Sequence, residues 1–223
     1  MLAQCGQPYD SLPFDHTLSQ SLIICRGAGY EARLSAKDCI MGNTIRAHID
    51  VENKTDFTME YVGDCFIHNG QIEGTPVSVN PHSKIKFTGR QTGILASGTT
   101  GVVAWKIAEH TERPSEEIKF VVLWSAPYNF DHYANYLAIG FRESSYLVNF
   151  DSYHDMYYDK LDDPKSKWFT RREFYHDYGK MKIERRCGRF LATGDMGTAH
   201  ECDVSVVLED VGETPLNSDT PNN

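Results

Sequence analysis

Alternation with a period of two dominates the middle of the chain. Ile45, Ala47, Ile49 and Val51 are apolar, and Arg46, His48, Asp50 and Glu52 between them are polar. That is a strand with one face in a core and one in water. Lys84-Ile85-Lys86-Phe87 alternates in the same way. Residues 101–107 (GVVAWKI) and 118–124 (IKFVVLW) are denser apolar runs and suit central strands covered on both faces. Residues 136–141 and 146–150 follow, and Cys202, Val204, Val206 and Leu208 share one face of a last strand. Turn residues separate these runs at short intervals, and Gly98-Thr-Thr-Gly101 reads as one such turn. The pattern predicts a mainly β chain, an antiparallel sandwich or barrel rather than alternating βαβ units. Trp124, Phe141 and Phe150 are expected in its core.

Helical signal is scarce. Residues 152–161 (SYHDMYYDKL) predict one short helix with Asp151 as N-cap. Tyr153 and Tyr157 share a face there, and Tyr158 lies about 100° round from Tyr157. A second candidate is residues 18–41, where Leu18, Leu22, Cys25, Ala32, Ala36 and Ile40 form a stripe. Gly27 and Gly29 interrupt it, at about 1 kcal/mol each relative to Ala. Four regions follow: an irregular lead (1–16), the candidate amphipathic segment (17–41), a β domain (42–208) and a polar tail (209–223) expected to be disordered.

Composition narrows the function. Lys plus Arg is 22 and Asp plus Glu 31, a net charge of −9. Nucleic-acid binding relies on cations that neutralise phosphates, so a nucleic-acid partner is not expected, and neither is a polybasic grip on anionic lipid. No secretory signal is visible at the N-terminus, which leaves the cytosol as one location. The six cysteines form no C-x-x-C pair. Buried free thiols are the simplest reading, although Cys187 and Cys202 flank an expected hairpin and would be placed to pair in an oxidising compartment. Asn53-Lys54-Thr55 fits a glycosylation acceptor. Metal spacings, nucleophile elbows and phosphate loops are missing. The chain is therefore expected not to be an enzyme, with no catalytic residue, metal ligand or cofactor.

Aromatic density is the feature that stands out. Eleven Phe, Trp and Tyr residues fall in the 35 positions 124–158, where the chain's 12% aromatic content gives about four. Several sit among Pro127, Asn129, Asp131 and Asn135, a loop composition that puts rings at a surface. Such a cluster suits either a small core under a long loop or a wet apolar contact. Tyrosine serves the membrane–water interface, and a ring face attracts a quaternary ammonium, worth roughly 0.5–2 kcal/mol.

Three motifs in order carry a resemblance: Ser125-Ala-Pro-Tyr-Asn-Phe-Asp-His-Tyr-Ala-Asn-Tyr136, then Tyr153-His-Asp-Met-Tyr-Tyr158, and, more weakly, Ala96-Ser-Gly-Thr-Thr-Gly-Val102-Val103. They resemble the actinoporin and actinoporin-like pore-forming cytolysins over about residues 45–208. The resemblance implies a β-sandwich flanked by two short helices. It implies a phosphocholine pocket for sphingomyelin-type membranes, with Thr100, Ser125, Pro127, Tyr133, Tyr153, Tyr157 and Tyr158 as its residues and His68 nearby. Tyr128, Phe130, His132 and Tyr136 would meet the membrane interface, the last two where the family carries tryptophans. It further implies self-oligomerisation on the membrane, a cation-permeable pore lined by the N-terminal helix, and secretion toward a target cell (from a nematocyst in a cnidarian). Three features depart from the family: there is no Arg-Gly-Asp triplet, residues 159–180 replace a shorter loop, and the chain is acidic. A module that binds lipid headgroups or sugars without making a pore is the alternative.

Overall fold

The computed structural model describes residues 45–92, 97–108, 117–159, 168–175 and 182–212. These form β1 (Arg46–Asn53), β2 (Thr58–Glu60), β3 (Cys65–Asn69), β4 (Gln71–Glu73), β5 (Ser83–Arg90), β6 (Thr99–Ala108), β7 (Ile118–Ala126), β8 (Asn135–Glu143), α1 (Phe150–Tyr158), β9 (Phe169–Phe174), β10 (Ile183–Cys187), β11 (Phe190–Met196) and β12 (Glu201–Asp210). One sheet runs β10-β11-β12-β1-β5-β4 and the other β2-β6-β7-β8-β9, with β3 also paired to β6.

The alternation at Ile45, Ala47, Ile49 and Val51 points inward as expected, and these side chains are buried with Val204, Val206 and Leu208 of β12. From the second sheet Val103, Trp105, Phe120, Val122, Trp124, Leu137 and Ile139 complete the core between the sheets. Burying each large aliphatic or aromatic side chain there contributes about 1.5–3 kcal/mol relative to exposure. The dense runs in β6 and β7 are buried on both faces because a second apolar cluster lies outside the second sheet. There Val102, Ala104, Val121, Leu123 and Ala138 pack against Tyr153 and Met156 of α1. The architecture is thus a sandwich with a helix laid on one outer face.

Several expectations change. β1 and β12 pair in parallel, with Val51 opposite Val206, so the sandwich is not wholly antiparallel. Thr99, Thr100 and Gly101 are the start of β6, not a turn. Residues 146–149 lead into α1 instead of forming a strand, and Phe150, the first helical residue, is 51% exposed, not core. The helix begins two residues earlier than expected. Asn149, not Asp151, is its N-cap: its Oδ1 accepts from the Ser152 amide, while Ser152 Oγ accepts from the Asn149 amide. The stretch 159–180 contains the edge strand β9, and β12 runs past Leu208 to Asp210. The candidate helix at 17–41 lies outside the described residues.

Cys187 ends β10 opposite Phe190, and Cys202 lies in β12 opposite Ala47; both are free thiols. Burial pushes the Cys202 thiol up to about 12. The glycosylation motif is also overridden. Asn53 is fully buried, its amide nitrogen donates to the carbonyls of Phe57 (2.7 Å), Val79 (3.1 Å) and Asn80 (3.1 Å), and its Oδ1 accepts from Thr55. Asn53→Ala strips partners from these buried groups and is expected to destabilise the domain by about 2–3 kcal/mol, read as a lower urea midpoint.

Candidate functional site

Strand register explains why one end of the second sheet's outer face is polar. Asn69, Thr100, Ser125, Tyr136 and Glu173 stand opposite one another across β3, β6, β7, β8 and β9. Two residues further along each strand, Val102, Leu123 and Ala138 form the apolar row that α1 covers. The helix stops where the hydroxyls begin. Thr100 Oγ1 and Ser125 Oγ are 2.9 Å apart and both residues are buried.

The helix brings three tyrosines over this row. Tyr153 is buried, Tyr157 half-buried and Tyr158 59% exposed. Ring centroids are 5.4 Å apart for Tyr153–Tyr157, 4.8 Å for Tyr157–Tyr158 and 5.2 Å for Tyr136–Tyr157. The Tyr153 and Tyr158 rings meet edge-on at 6.0 Å, and Tyr157 and Ser125 line the same cleft. Burial is the main cause that pushes the phenols of Tyr153, Tyr157 and Tyr136 above their ordinary range. His68 stacks on Tyr153 with centroids 4.2 Å apart, and burial lowers its pKa.

The loop 127–134 closes the other wall. Asn129 Oδ1 accepts from the Asp131 amide at 2.8 Å, an Asx turn that shapes the loop. His200 Nε2 donates to the Tyr128 carbonyl at 2.9 Å, and buried Asn135 donates to the carbonyls of Gly197 (2.7 Å) and Ala199 (3.0 Å). The loop is therefore anchored to the β11–β12 turn. Tyr128 and Tyr133 remain 48% and 57% exposed. Gly98 lets the chain pass against β7: a Cβ there would lie 2.1 Å from the Ala126 carbonyl oxygen.

Between these walls lies a cleft of about 560 Å³. All seven residues named for the pocket line it: Thr100, Ser125, Pro127, Tyr133, Tyr153, Tyr157 and Tyr158. Tyr128 and His132 line it as well. Phe130 and Tyr136 do not. Phe130 packs on His200 at 4.4 Å, and Tyr136 is half-buried with its hydroxyl donating to Glu173. Sequence reasoning missed Asn69, Ser97, Gly98 and Asn129, which also line the cleft. Asn69 arrives through the irregular β3–β6 register, which no local pattern announces. No Asp, Glu, Lys or Arg is among the described lining residues. On the outer side of α1, His154, Asp155 and Asp159 bring ligand-type atoms within 4.8 Å of one another, a grouping common among exposed acids without an ion.

Comparison with known proteins places this geometry. No protein-family model matches the chain. It is 28% identical to Tereporin-Ts1 of Terebra subulata over 184 residues, which cover 81% of this chain and 84% of that protein. It is 29% identical to Tereporin-Ca1 of Terebra anilis over 170 residues, 75% of this chain and 85% of that protein. The chain is thus similar to actinoporin-like proteins over most of its length. The crystal structure of the lipid binding protein Nakanori shares the fold, with a TM-score of 0.56 over 78% of this chain and 75% of that one at 13% identity. In this chain the residues of the two motifs around Ser125 and Tyr153 meet across one cleft, although about 30 positions separate them.

The raised phenol pKa values fix a pH response. A folded-state pKa above the unfolded value favours the folded state fully below about pH 10, the ordinary tyrosine value, and progressively less above it. Stability is expected to fall as pH rises past about 10, and Tyr136→Phe should flatten that fall. Denaturant midpoints measured across the alkaline range check this.

Proposed function

We propose that this protein binds the phosphocholine headgroup of sphingomyelin-type lipids in the tyrosine cleft, assembles on the membrane and opens a cation-permeable pore. The observation that carries the reading is a cleft with aromatic faces on one side, paired hydroxyls at its floor and no charged side chain in its lining. A zwitterion needs such a site. Ring faces of Tyr133, Tyr153, Tyr157 and Tyr158 hold the ammonium, and the hydroxyls of Thr100, Ser125 and Tyr157 donate to the phosphate. A lysine or carboxylate in direct contact with the headgroup would favour one half of it and repel the other.

The exposed rings of Tyr128, Tyr133 and Tyr158 rim the cleft and enter the interface beside the headgroup, with His132 next to them. Phe130 and Tyr136 support that rim from behind. Pore formation is the activity proposed by kinship with the tereporins, and segment 17–41 is proposed to form the wall. A helix of about 20 residues reaches across a bilayer, and its charged side faces the lumen. Secretion toward a target membrane follows from the same kinship.

The narrow apolar stripe at 17–41, interrupted by Gly27 and Gly29, favours a second reading in which the protein binds headgroups without making a pore. Dye release from sphingomyelin vesicles separates the two: leakage supports the first, and binding without leakage leaves the second.

Tyr157→Ala and Tyr133→Ala should each weaken binding to phosphocholine vesicles by roughly 2- to 30-fold, the equivalent of one cation–π contact. Co-sedimentation checks this, with circular dichroism to show that the fold persists. Unchanged affinity in both variants counts against the cleft.

A further inference from the structure

The last two residues of α1, Tyr157 and Tyr158, both line the cleft, yet beyond the Asp159 amide, which donates to the Asp155 carbonyl, the helix end has no capping group of its own. Its last turn contains no basic residue, and the residue after it, Asp159, is extended (φ −61, ψ 143) instead of left-handed glycine. The final carbonyls of a helix lack intrahelical partners and carry partial negative charge. Here one side chain from a neighbouring strand meets them. Arg171 of β9 donates through Nη1 to the carbonyls of Met156 (2.9 Å) and Tyr157, and through Nη2 to that of Asp159 (3.2 Å).

Arg171 also sits in a telling place on the sheet. It stands opposite Ala138, at the end of the apolar row beneath α1 and one row from Ser125 and Tyr136. Its guanidinium carbon is 5.8 Å from the Tyr136 ring centroid. It is not among the described lining residues, but it holds the carbonyl of Tyr157, whose side chain does line the cleft.

We infer that Arg171 is a positioning and specificity residue for the cleft: it clamps the end of α1 so that Tyr157 and Tyr158 face the headgroup, and its buried-side charge biases the cleft toward the phosphate half. This rests on the phosphocholine reading above. A planar guanidinium can reach three carbonyls at once, whereas an ammonium acts as a compact point charge. The grip and the charge can therefore be varied separately.

The test uses the full chain, free phosphocholine and free choline in calorimetric titrations, and thermal melts of wild type, R171K and R171M. Wild type is expected to bind phosphocholine more tightly than choline. R171M should lose roughly tenfold in phosphocholine affinity, from the lost through-space attraction and the released helix end together. Its choline affinity should fall by only a few-fold, so the preference collapses. R171K should keep the preference while both affinities drop about threefold. A merely structural role predicts equal losses for both ligands in R171M, and that result overturns the inference, as do wild-type affinities in either variant. If R171M fails to fold, R171K decides alone: unchanged affinities, or a lost preference, overturn it. Wild-type protein that binds neither ligand removes the headgroup reading and this inference with it, whereas wild-type binding with unaltered variants removes the inference only.

Discussion

Tyr153 and Met156, pressed onto Val102, Leu123 and Ala138, are the contact on which the candidate site depends. Without that apolar seat the outer face of the second sheet would be open to water and the helix would have nothing to lie on. A nine-residue helix is too short to persist unaided. Burial orients it, the Asn149–Ser152 box starts it, and Arg171 holds its end. With the helix fixed, Tyr157 lines the same cleft as Thr100 and Ser125.

The same seat separates two kinds of surface on one sheet. Under the helix the strands carry Val, Leu and Ala; one row further they carry Thr, Ser and Tyr. Because side chains on one face recur every second residue, this change takes a single step along each strand. At the opposite end of the sheet, buried Lys119 meets Asp64 at 2.7 Å and donates to the Tyr146 carbonyl at 2.8 Å, tying the approach to α1 to the strands. Breaking a buried pair by removing one partner costs about 3–5 kcal/mol, so this tether is strong even though the pair itself gains little. Both ends of the helical segment are thus held by a cation donating to backbone carbonyls.

Charge distribution fits a neutral cleft on an acidic chain. The chain's net charge is −9, while the described residues that line the cleft carry none. Several surface carboxylates are matched locally, as in Lys86–Asp50 and Arg46–Glu73 on the exposed face of the first sheet. Exposed pairs of this kind contribute little to stability.

Strand alternation in β1, β5 and β12, the dense runs in β6 and β7 and the tyrosine spacing of α1 were all legible in the amino-acid order, because periods of two and 3.6 are local properties. The three motifs, at 96–103, 125–136 and 153–158, likewise marked the seven cleft residues. What no local pattern contains is partnership. The parallel pairing of the first and last strands, the burial of Asn53 inside a sequence that looks like a surface motif, and the exposure of Phe150 all depend on what other segments lie opposite. Arg171 reads as one more charge in a polar stretch until β9 pairs with β8 and brings it under the helix. Sequence by itself determined which side chains can make a cleft of rings and hydroxyls; only the tertiary structure decided which of them meet, because register and packing are set by contacts between residues far apart in the chain.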